Sequence, residues 1–178
     1  MVKKGTIMED QHGNFLEFIE VSSDTNGMYT KLKICLQPNQ VALARHSLEK
    51  SDEIYEILEG ELTYELNHKK MTVRAGETLI LPKAQAHRNY NASDKPVVMY
   101  CTITPSYDIE PFIETMVQMW QNGKMKNGNA NFWQSMIWVK SMEGTIYFEG
   151  LSRKTQQWLS YLLAPIASLL GYKKFYQN

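Results

Sequence analysis

Two histidines in this chain stand beside turns, at the edges of predicted strands: His46 and His87. Glu53 follows seven residues after His46. Imidazole and carboxylate groups ligate metals and move protons near neutral pH. A lone histidine is more often an ordinary hydrogen-bonded one, so the weight falls on the pattern around these residues. His12 and His68 lie in polar turns and read as solvated. Glu59 and Glu61 flank Gly60 at a turn and read as surface charge.

The elements that carry these residues are strands. In GMYTKLKICLQ, Met28, Thr30, Leu32, Ile34 and Leu36 share one face and Lys31 and Lys33 the other, a period of two. Leu62, Tyr64 and Leu66 repeat the pattern, and segments 78–82 and 96–103 are rich in β-formers. Turn chemistry separates them at Asn26-Gly27, Pro38-Asn39, Glu59-Gly60 and Ala75-Gly76. About nine short, evenly spaced strands between residues 4 and 104 predict a β-sandwich or barrel rather than βαβ units.

After Pro105 the period changes. Ile109, Phe112, Ile113, Met116, Val117 and Trp120 fall on one helical face, with Asp108 as the expected cap and Asn122-Gly123 as the stop. Residues 131–142 form a weaker helical candidate. A third runs from Ser152 to Leu170 and stops at Gly171, with a kink expected at Pro165. The division is 1–104 for the β-barrel and 105–178 for a helical extension packed on the barrel or at a dimer interface. Trp120, Trp133, Trp138 and Trp158 read as packing residues.

The chain has 178 residues, enough for one domain and its appendage. Nineteen Lys and Arg balance nineteen Asp and Glu, which disfavours a nucleic-acid partner. No basic patch is read beyond Lys173-Lys174, and no helix-turn-helix is visible. No apolar stretch approaches the ~20 residues of a spanning helix, so no membrane partner is expected. Cys35 and Cys101 read as buried free thiols, and the expected location is cytoplasmic.

Two motifs make the chain resemble the cupin family. The second motif, G-x5-P-x-G-x2-H-x3-N, is matched by Gly76, Pro82, His87 and Asn91, with Ala84 in the position of its middle glycine. In the first, G-x5-H-x-H-x3–4-E-x6-G, His46, Glu53 and Gly60 match. Leu48 takes the second histidine position and Gln40 the opening glycine position.

The resemblance implies a mainly β fold, an antiparallel double-stranded β-helix or jelly-roll (RmlC-like) barrel. It also implies that His46, Glu53 and His87 point inward to hold a divalent metal: iron, zinc, nickel or manganese. Leu48 cannot coordinate, so two imidazoles and a carboxylate remain, the ligand set of a facial triad. Leu48, Tyr55, Tyr64, Gln85, Asn89 and Tyr100 are the expected pocket-lining residues, with Arg88 and Tyr90 out of phase with His87.

Three readings follow. One is a barrel that binds a small molecule, with or without metal, and has no assigned catalysis. Another is an Fe(II)-type oxygenase. The third is an interaction protein, with a homodimer expected from the apolar C-terminal helix. Whether the chain is an enzyme is left open by its sequence.

Overall fold

A computed structural model describes residues 2–107, 109–142 and 145–173. Ten strands precede Pro105: β1 (Ile7–Glu9), β2 (Phe15–Glu20), β3 (Thr30–Leu36), β4 (His46–Leu48), β5 (Asp52–Glu59), β6 (Glu61–Leu66), β7 (Lys69–Arg74), β8 (Thr78–Leu81), β9 (His87–Tyr90) and β10 (Val97–Thr104). After it come α1 (Ile109–Gln121), α2 (Phe132–Ser141), β11 (Ile146–Phe148) and α3 (Arg153–Leu169). The expected cap Asp108 and the basic Lys174 lie outside the described residues.

The strands form two antiparallel sheets, one ordered β1-β2-β3-β10-β5-β8 and the other β11-β4-β9-β6-β7. This is the antiparallel jelly-roll barrel that the strand pattern and the resemblance predicted. Alternation builds its interior. In β10, Val97, Met99, Cys101 and Ile103 are buried; in β5, Glu53, Tyr55 and Ile57 are. The residues between them face outward, because successive side chains of a strand leave opposite sides of the sheet.

Two turns tie the motif residues to this frame. Gly60 adopts φ 78°, and a side-chain carbon there would fall on the Pro96 carbonyl oxygen. Only glycine satisfies both conditions. In the entry turn before β4, Asn39, at φ 60°, carries the left-handed residue, one position before Gln40.

The helices follow the predicted periods closely, and Ser152 caps α3 by accepting from the Thr155 amide. β11, inside the helical extension but between its second and third expected helices, is a difference. It pairs with β4 through Ile146↔Leu48 and Phe148↔His46, so the second half of the chain completes the sheet that carries His46. Three residues are too few to display a period, which is why the sequence reads as a connector there. Trp138 of α2 is fully buried, edge-on to Phe112 of α1 at 4.9 Å. No helix among the described residues is long and apolar enough to cross a membrane.

Candidate metal centre

Both sheets contribute to the site. β4 and β9 place His46 opposite His87, their only register pair, with ring centroids 4.5 Å apart. Glu53 comes from β5 of the facing sheet. Its Oε2 lies 2.7 Å from His87 Nε2 and 3.8 Å from His46 Nε2. One ligand atom from each of the three residues falls within 4.8 Å of the others, and all three residues are buried. The sequence places these residues far apart; the barrel brings them together.

Backbone carbonyls fix both rings. His46 Nδ1 meets the Ala44 carbonyl at 2.9 Å and His87 Nδ1 meets the Gln85 carbonyl at 3.0 Å. A carbonyl only accepts, so each Nδ1 carries the proton and each Nε2 is turned towards Glu53. The Tyr55 hydroxyl donates to Glu53 Oε1 at 2.9 Å. That leaves Glu53 Oε2 and His87 Nε2, which are close but do not meet hydrogen-bond geometry and have no other partner. Buried polar atoms without partners are uncommon, and these converge with a second ring nitrogen.

The electrostatics ask for one cation. Burial, helped by the neighbouring His87, pushes His46 down to about 4. Burial by itself would raise Glu53, but the facing His87, the second histidine and the Tyr55 hydroxyl bring it down to about 2. Burial also opposes charge on His87, yet the Glu53 carboxylate outweighs it and raises the ring. The cluster therefore holds one buried negative charge and favours one compensating positive charge. Protonation of His87, which the Glu53 carboxylate favours, can supply it in the metal-free barrel. A divalent ion between the three donors would replace that proton. Donor type, burial and convergence all fit a metal.

A chamber of about 70 Å³ adjoins the centre, and His46, Leu48, Glu53, Tyr55 and Asn89 line it. Leu48 stands beside His46 on the inward face, apolar and 3% exposed. Asn89 is equally buried, and it lines the chamber. Three expected lining residues are corrected. Tyr100 faces outward, with the Lys31 ammonium 4.6 Å over its ring, because β10 sends Cys101 inward instead. Gln85 contributes only its carbonyl; its half-buried side chain lies outside the chamber. Tyr64 shares the inward face, but its hydroxyl turns to Met71 Sδ at 3.6 Å and it does not reach the chamber.

The chamber has other walls that sequence reasoning missed. Cys101 lies opposite Tyr55, a place the β10 alternation already implied. Ile109, Phe112, Ile113 and Met116 of α1 form one wall. Their helical face was legible, but its target was not. His12 and His68 are exposed, as expected. A wider cleft of about 320 Å³ lies elsewhere, beside Asp10, Asn14 and Trp120. Asp10 there is committed to its own turn, accepting from the His12 and Asn14 amides and the Asn14 side chain. The convergence of three buried donor residues makes the chamber the better candidate.

The cupin domain family matches residues 32–103. An uncharacterized protein of Methanocaldococcus jannaschii is 34% identical over 65 residues, which are 36% of this chain and 52% of that protein. The chain thus spans about half the length of the curated relative it matches. Among solved structures, KdgF from Halomonas sp. aligns with a TM-score of 0.50 at 14% identity, over 58% of this chain and 89% of that one. A predicted oxalate decarboxylase from Thermotoga maritima aligns with a TM-score of 0.50 at 18% identity, over 59% of this chain and 99% of that one. At such identities the structural likeness speaks for the fold alone. Both motifs, the two-sheet barrel and the family match agree that residues 32–103 form a cupin-type barrel.

Proposed function

We propose that this barrel holds one divalent metal ion on His46, Glu53 and His87 and binds a small polar ligand beside it in the chamber. The observation that carries this reading is the convergence of Glu53 Oε2 and His87 Nε2, buried without hydrogen-bond partners, on His46 Nε2. An ion held there would act as a Lewis acid towards oxygen atoms of the ligand.

The chain's own residues supply the rest. The Ala44 and Gln85 carbonyls orient the rings, and the Tyr55 hydroxyl orients Glu53. Leu48 and the α1 residues keep the surroundings apolar, which strengthens charge interactions. Asn89 offers an amide to the ligand. Ordinary ligand pockets run to ~300–1,000 Å³, so a chamber of about 70 Å³ selects a ligand of few heavy atoms.

A second reading is a metal-dependent oxygenase. It is favoured by Leu48, which leaves two histidines and one carboxylate as donors, the set associated with open positions on Fe(II).

The test is metal content of untagged protein, followed by calorimetric titration with Fe(II), Zn(II), Ni(II) and Mn(II). One bound equivalent, lost in His87→Ala, is expected. A folded protein that takes up none of the four would overturn both readings.

A further inference from the structure

Helix α3 is packed the opposite way from an ordinary surface helix. The side chains it fully buries against α2 and the barrel are small or polar, Gln156, Ser160, Ala164 and Ala167, with Leu159 and Leu163 half-buried beside them. The face it leaves in solvent is large and apolar. Trp158, Tyr161, Leu162, Ile166, Leu169 and Leu170 are each between 46% and 89% exposed. Amphipathic surface helices normally do the reverse.

The outer face is not needed to hold the helix. Gln156 donates to the Phe148 carbonyl at 2.6 Å and the Leu151 carbonyl at 2.8 Å, and it accepts from the Phe148 amide at 3.1 Å. Arg153 pairs with Glu49 at 2.9 Å and donates to the Ala84 carbonyl. These bonds, the small residues and the half-buried Leu159 and Leu163 seat α3 from its inner side.

We propose that the outer face of α3 is the contact surface between two copies of this chain. The exposed positions follow spacings of three, one, four, three and one, a continuous stripe along the helix. From Thr155 to Tyr172 there is no charged residue, so two such faces meet without like-charge repulsion and neither selects a charged partner. Side chains of these types present on the order of 700 Å² of apolar surface, above the ~300–600 Å² of the largest patch on a monomer and near the ~800 Å² that each partner of a standard interface buries. A second copy offers the same stripe and satisfies both about a two-fold axis.

Sedimentation equilibrium of the full chain over about 1–100 µM reads the outcome. The wild type sediments as a dimer, and the double variant Leu162→Glu/Leu169→Glu dissociates with a Kd about a hundredfold higher or more. Far-UV circular dichroism checks that the variant is folded. Should it not fold, quenching of Trp158 fluorescence by iodide, taken as the difference from Trp158→Phe, reads the same face: protected at high concentration, exposed on dilution. A wild type that stays monomeric overturns the proposal. So does a dimer that the folded double variant leaves intact. Co-flotation of monomeric wild type with neutral phosphatidylcholine vesicles would overturn it in favour of a lipid surface.

Discussion

Glu53 and His87 come from opposite sheets and meet at 2.7 Å in the barrel interior. Burial of this cluster, with the charges inside it, governs how the metal-free protein responds to acid. His46 has its pKa lowered from 6.5 to about 4, so between these values the unfolded chain binds the proton and the folded one does not. Stability from His46 is present above pH 6.5 and is lost as pH falls towards 4. Glu53, lowered from 4.5 to about 2, adds a loss in the same direction below pH 4.5. His87, raised by Glu53, has the opposite sign: its contribution is present below pH 6.5 and fades as pH rises through its folded value. At ~1.4 kcal/mol per unit, His46 contributes about 3 kcal/mol. Thermal unfolding in chelator should show Tm falling by roughly 5–10 °C between pH 7 and 4, with a flatter profile in His46→Gln.

Leu48 occupies the place of a donor. Leu48→His adds an imidazole to the same inward strand face as His46, and metal affinity should tighten by about tenfold or more, ~1.4 kcal/mol. Competition titration against a chelator measures it. An unchanged affinity would mean that position 48 does not face the ion.

Asn89 sets a polar amide, 3% exposed, in the mostly apolar wall of the chamber, and taking such a group out of water costs ~1–3 kcal/mol. Asn89→Leu removes that cost in a cavity already lined by Leu48 and Phe112. A Tm higher by roughly 3–6 °C is expected, with metal stoichiometry retained. A lower Tm would show that the amide is structural.

Ala84 stands in a glycine position and adopts φ 63°. A left-handed residue with a side-chain carbon is strained by ~1–2 kcal/mol, partly offset by the extra entropy glycine loses on folding. Ala84→Gly should therefore stabilise the chain by about 0.5–1 kcal/mol in denaturant unfolding. No gain would mean that the turn carries no strain.

Much of the centre was legible because local rules wrote it. A period of two put Glu53 and Tyr55 on one face of β5, and the motif spacing named His46 and His87. Tyr100 was misplaced because the phase of β10 had to be read from Val97, Met99 and Cys101 rather than from the one aromatic. Tyr64 was placed on the correct face, yet a face does not say how far along a barrel the chamber extends. The role of α1 was hidden for a related reason. Ile109, Phe112, Ile113 and Met116 announce an apolar helical face, but hydrophobic burial is non-directional and names no partner.

The amino-acid order alone determined the strands before Pro105, the turns and the three helices, since each follows from contacts within a few residues, and its resemblance to the cupin motifs named two imidazoles and one carboxylate. Only the closing of two sheets upon each other decided that Glu53 meets His87, that α1 walls the chamber and that α3 turns its large side chains outward. Those outcomes depend on contacts between segments tens of residues apart, and local pattern carries no record of which face finds which.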